Sequence, residues 1–133
     1  MQFVLEIAMG DPLYQQIRDQ VVLALATGNL FPGDGLPPIR ALAADLSINL
    51  HTVHKGYEML EQEGYIHLNR RIGAVVAQPR PFRQDLGPWQ QKLRILLAEA
   101  WTQGMSGEDM TLTVKDILSG FVPVDTVRPG AEG

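Results

Sequence analysis

Apolar positions recur every three or four residues along most of this chain, and the recurrence breaks wherever glycine and proline cluster. Leu13, Ile17, Val21 and Ala24 keep helical spacing, which predicts a first helix from Pro12 to Thr27. Asp11-Pro12 supplies an N-cap followed by proline at the first helical position, and Gly28 supplies a stop. Ahead of it, Phe3 to Ile7 read as a short strand. The segment NLFPGDGLPP interrupts the pattern, and Ile39, Leu42, Ala43 and Leu46 then restore it over one short helix. Ser47-Ile48-Asn49 reads as a tight turn in which the Asn49 side chain caps a third helix. That helix turns Val53, Gly56, Tyr57 and Leu60 inward and ends at Gly64. After it, IHLN and GAVVAQ read as two short strands around a turn at Arg70, Arg71 and Ile72.

A proline-rich stretch over 79–88, PRPFRQDLGP, then reads as a stiff linker. Beyond it Trp89, Leu93, Leu96, Leu97, Ala100 and Trp101 share one stripe of a helix that Gly104 ends. Ser106 and Asp109 have the spacing of a capping box, and Met110, Val114, Ile117, Leu118 and Phe121 form a second stripe. The fold class is therefore mainly α with a small β wing: a winged helix-turn-helix over 1–78, the linker, an αα-hairpin over 89–121, and a disordered tail over 122–133. Two helices of about 30 residues together cannot bury both stripes by themselves. A second copy is the expected cover, so Trp89, Leu93, Leu96, Leu97, Ala100, Trp101, Val114, Ile117, Leu118 and Phe121 are the candidate homodimer contacts.

Composition narrows the partner. The net charge of −4 argues against a polyanion if averaged over the surface. The charge is unevenly distributed, however: from Arg40 to Arg83 six basic residues face four acids, whereas from Asp85 onward four basic residues face seven acids. A polyanion would meet the middle of the chain. With no cysteine, disulfides, thiolate zinc sites and a cysteine nucleophile are excluded. No apolar run reaches the roughly 20 residues a membrane-spanning helix needs, and no secretory signal pattern opens the chain. The expectation is a cytoplasmic protein with no membrane partner.

Candidate chemistry sits on the third helix. With Val53 inward, a step of about 100° per residue puts His51, Lys55, Glu58 and Gln62 on the outer face and Thr52 and His54 on its flanks. Asn49, His51, Thr52 and His54 have donors and acceptors suited to base edges, and Lys55 suits a phosphate. Leu50, about 60° from Val53, belongs with the core.

Further motifs, PLYQQI, TGNLFPGDGLPPIRALAADL, INLHTVHKGYEMLEQEGYI and the two-strand wing, resemble the winged helix-turn-helix of GntR-type transcription regulators from Pro12 to about Ala77. The short C-terminal region and the Ile-Asn-x-x-Thr-Val turn look most like the YtrA subfamily, whose small helical region serves dimerisation. This resemblance implies a double-stranded DNA operator as partner, homodimerisation, and Arg40 as a phosphate or base contact. It also implies that Thr52 and His54 face DNA and that Arg70 and Arg71 supply the wing contact. Three positions depart from the family pattern. Pro38 replaces a small capping residue, Leu50 and His51 stand where the subfamily carries proline and asparagine, and Arg71 replaces a wing glycine. Base preference therefore does not transfer.

Other classes stay in view. Arg40 could simply pair with Asp45, and the arginines of the wing could only keep a hairpin tip soluble. His51, His54 and Glu58 could suggest a metal, but a histidine pair without a third cluster is weak support, so no metal site is assigned. His67 reads as a strand surface residue, and Tyr14 and Tyr57 as packing residues. An acidic chain of this fold could also be a protein-interaction module without specific DNA binding. An enzyme built on the histidines lacks a carboxylate pair, an activated nucleophile or a phosphate loop. No residue pattern calls for a cofactor, and none identifies a small-molecule effector.

Overall fold

In order along the chain come α1 (Leu13–Ala26), α2 (Ile39–Leu46), α3 (Leu50–Gln62), β1 (Ile66–Asn69), β2 (Gly73–Val76), α4 (Gly87–Thr102) and α5 (Gly107–Ser119). The computed structural model describes residues 1–6, 10–69, 71, 73–78 and 87–123. Backbone contacts divide the chain into two units, Met1–Arg80 with Val122–Gly133, and Pro81–Phe121.

The first unit is a winged helix. The apolar stripes of α1 and α3 face each other, and Ile17, Val21, Val53, Tyr57, Leu60 and Ile66 are completely buried. Each such side chain contributes about 1.5 to 3 kcal/mol by leaving water, so this layer dominates the unit's stability. The helices approach closely at Gly56, where an added Cβ would lie 3.0 Å from the Tyr14 carbonyl oxygen and 3.2 Å from Ile17 Cγ2. Leu50 packs half-buried against the same core. The Tyr57 hydroxyl donates to the Pro37 carbonyl at 2.7 Å, anchoring the chain that leads into α2. Burial pushes this phenol above its ordinary pKa.

The turn between α2 and α3 forms as its residues predict, with one cost. Ser47 adopts the left-handed region, φ 55 and ψ 44, which lets the Ile48 N–H donate to the Ala43 carbonyl at 3.0 Å. Asn49 Oδ1 then accepts the His51 N–H at 2.8 Å and caps α3. At the far end of α3, Arg18 donates to Glu63 through Nε at 3.1 Å and Nη2 at 2.6 Å, linking α1 to the C-cap of α3. These Glu63 bonds hold the guanidinium above its ordinary pKa.

The wing is an antiparallel pair with Ile66 opposite Val76 and Asn69 opposite Gly73. A third segment joins it. Gly35 bridges Val75, the Leu36 N–H donates to the Ala74 carbonyl, and the Val76 N–H to the Asp34 carbonyl, both at 2.8 Å. The glycine- and proline-rich stretch is thus part of the sheet as well as a break between helices.

Phe3 to Glu6 do not form a strand, and Ile7 lies outside the described residues. The backbone is instead held by two side chains of α1. The Val4 N–H donates to Gln20 Oε1 at 2.8 Å, and Gln20 Nε2 donates to the Val4 carbonyl. The Glu6 N–H donates to Gln16 Oε1 at 2.8 Å, and Gln16 Nε2 donates to the carbonyls of Glu6 and Asp11 at 2.9 and 3.0 Å. The spacings match: one helical turn advances about 6 Å over four residues, and an extended chain about 6.6 Å over two. Helix α1 itself starts one residue later than expected. Pro12 occupies the N-cap position without a side-chain cap bond, since its ring carries no acceptor, and the Asp11 carbonyl accepts from Gln16 Nε2.

In the second unit α4 starts at Gly87, so Gly87 and Pro88 belong to a helix rather than to the linker. Residues 79–86 of the expected linker lie outside the described residues. Ser106 Oγ accepts the Asp109 N–H at 3.0 Å, forming the cap that its spacing predicts. No residue of α4 or α5 is buried. Leu96, Trp101 and Leu118 are 62%, 63% and 57% exposed. Between the helices runs an open apolar groove of about 460 Å³ whose walls include Leu93, Leu97, Val114 and Ile117.

Val122, expected to begin the disordered tail, belongs to the first unit and donates its N–H to the Ala26 carbonyl at 2.8 Å. Residues 124–133 lie outside the described residues.

Candidate nucleic-acid interface

The cap at Asn49 fixes where α3 begins and therefore which side chains its first turns present. His51, His54 and Lys55 are exposed and Thr52 is half-buried, opposite the completely buried Val53. Asn49 Oδ1 is committed to the cap, so any base contact from this residue would use its amide nitrogen. His54 Nδ1 stands 3.6 Å from Glu58 Oε2, one turn along the helix, with both side chains more than half exposed. Among the described residues no group of three histidine, aspartate or glutamate side chains is arranged to hold a metal ion.

Arg40 sits in the first turn of α2 and is exposed. Among the described residues it forms no ion pair, with Asp45 or any other acid. Arg40 and His54 line a common cleft of about 470 Å³ with Tyr57, Asn69 and Gly73. Three elements meet there: the start of α2, the middle of α3 and the turn end of the wing strands. Glu61 on α3 keeps the third in place, its Oε2 accepting the Leu68 N–H of β1 at 2.7 Å.

At the wing tip Asn69 Oδ1 accepts the Arg71 N–H at 2.8 Å. Arg71 is exposed and does not adopt positive φ, whereas Gly73 takes φ +87. Among the described residues of this turn the left-handed one is Gly73, and Arg71 is free of the strain that a non-glycine side chain meets there. Arg70 lies outside the described residues. His67 is exposed on β1.

Two neighbours of these residues escaped the sequence reading. Tyr14 was expected only to pack, yet the Lys55 ammonium lies 4.0 Å from the centre of its ring. Asn69 lines the cleft and shapes the wing turn. Its signal was its place just ahead of Arg70 and Arg71, a position where asparagine often bonds the backbone two residues on.

Elements in this order, with the first turns of the third helix exposed and polar, define the winged helix-turn-helix class of DNA-binding proteins. The sequence profile of the bacterial regulatory proteins of the gntR family matches residues 13–76. The HTH-type transcriptional repressor YtrA of Bacillus subtilis (strain 168) is 31% identical over 109 residues, covering 80% of this chain and 84% of the relative. A second Bacillus subtilis protein, the HTH-type transcriptional regulator YhcF, is 29% identical over 83% of this chain and 87% of its own length. Among solved structures, YtrA from Sulfolobus acidocaldarius, a GntR-family transcription factor, superposes with a TM-score of 0.59 at 34% identity, covering 75% of this chain and 97% of that one. The chain belongs to the GntR family and is a DNA-binding regulator of transcription. Among the described residues no helix is long and apolar enough to cross a membrane.

Proposed function

We propose that this chain is a cytoplasmic, homodimeric repressor that binds a pseudo-palindromic operator through residues 1–78 and pairs with a second copy through residues 89–121. Each recognition helix α3 would enter one of two major-groove faces about 34 Å apart. In this reading Asn49, His51, Thr52 and His54 contact base edges. Arg40 and Lys55 contact phosphates or, for Arg40, a base, and Arg70 and Arg71 follow the backbone from the wing. Repression is the reading favoured by the name of the Bacillus subtilis relative, a transcriptional repressor, and blocking polymerase is its simplest mechanism.

The observation that carries the proposal is the cleft in which Arg40 and His54 meet the wing. An arginine with no ion pair among the described residues and a flanking histidine, placed together on the recognition side, suit an anionic groove. The uncovered apolar faces of α4 and α5 support the dimer.

The test begins with selection of tight-binding duplexes from random DNA by the full chain. Arg40→Ala should then weaken binding to the selected duplex by about 1 to 3 kcal/mol at fixed salt. Unchanged affinity would remove Arg40 from the interface. Retention of selected DNA no better than bulk DNA would turn the reading to a protein-interaction module.

A further inference from the structure

Lys55 and Tyr14 are brought together beside a close approach of α3 to α1. Gly56 presses α3 against α1 so closely that a Cβ at that position would stand 3.0 Å from the Tyr14 carbonyl oxygen. The residue before Gly56 is Lys55, and its Nζ lies 4.0 Å from the Tyr14 ring centre. Tyr14 is half-buried, so its ring is held by the fold, while Lys55 is exposed. A long, flexible lysine that would otherwise sample many rotamers thus has one favoured place for its charge. The ring covers one side of the ammonium and leaves its other N–H donors open to an anionic oxygen.

We infer that Tyr14 is a positioning residue for DNA binding: its ring holds the Lys55 ammonium where a backbone phosphate of the operator is received, and Gly56 sets the helix approach that makes this possible. The inference rests on the proposed phosphate contact of Lys55. It assigns to α1, which carries none of the proposed DNA-contacting residues, an indirect part in affinity. The part is not in specificity, because a phosphate carries no base identity.

Fluorescence anisotropy of the full chain on its selected duplex, repeated over a salt series, separates the layers. Lys55→Ala should lower affinity and flatten the dependence of log K on log salt by about 1.8, the signature of two lost phosphate contacts, one from each protomer of the proposed dimer. Tyr14→Leu should weaken binding about two- to fivefold with little change in that slope, and Tyr14→Phe, which keeps the ring face, should bind as the wild type does. In the Lys55→Ala background, Tyr14→Leu should add nothing, since the group it positions is gone. Thermal melts identify any variant that fails to fold, and for such a variant Tyr14→Met replaces Tyr14→Leu. If Lys55→Ala leaves affinity and slope unchanged, the phosphate contact fails and the inference with it. If Lys55→Ala behaves as expected but the two losses are additive, or Tyr14→Leu binds like wild type, the contact stands and the positioning role is overturned.

Discussion

The winged unit and the α4–α5 hairpin carry the same kind of apolar stripe and meet opposite fates. Ile17, Val21, Val53 and Leu60 are wholly buried between α1 and α3, whereas Leu96, Trp101, Ile117 and Leu118 on α4 and α5 are each at least half exposed. Helical periodicity therefore reports that a face wants cover, without saying where the cover comes from. In the first unit three helices and a small sheet close over one core. Two helices have no third layer to offer, and the homodimer proposed above supplies it.

The contrast can be broken most sharply by truncating one aromatic in each unit. Tyr57→Ala should lower stability by about 3 to 5 kcal/mol in urea denaturation, because it empties a completely buried site and frees the Pro37 carbonyl. Trp101→Ala, at a residue 63% exposed, should leave the unfolding free energy of the dilute chain within about 0.5 kcal/mol of wild type. Equal losses at the two sites would mean that the hairpin stripe is already covered within one chain.

A smaller effect sharpens the account of the first unit. Gln16→Ala should cost about 1 to 3 kcal/mol and loosen residues 2–6, since Glu6 loses the partner for both its N–H and its carbonyl. Amide exchange at Glu6 reports it directly, and unchanged protection there would show that Phe3 and the Gln20 bonds to Val4 hold the arm without Gln16. Smallest of the set, Ser106→Ala should lower the helicity of α5 and cost about 1 kcal/mol by removing its cap. Circular dichroism that matches wild type throughout a melt would exclude that role.

These cases also show what could be read in advance. The helices, the Asn49 cap, the inward set of α3 and the Ser106 cap were legible because each follows from local spacing or from a side chain bonding its own backbone neighbour. The arm was misread because its hydrogen bonds come from Gln16 and Gln20, which no local rule distinguishes from ordinary surface glutamines. The pairing of Gly35 with Val75 and the seat of Lys55 on Tyr14 join residues about forty positions apart, beyond the reach of periodicity. At the candidate site the residue types of α3 were legible from its inward face. Their convergence with Arg40 and the wing in one cleft required the fold.

The central claim, that one unit grips DNA while the other pairs two copies, is tested most directly by comparing duplexes with one and two half-sites. Wild type should bind the two-half-site duplex much more tightly than the single half-site, and Leu97→Asp, with a charge in the apolar groove of the hairpin, should bind both alike as a monomer. A Leu97→Asp protein that keeps the full advantage of the second half-site would contradict the account.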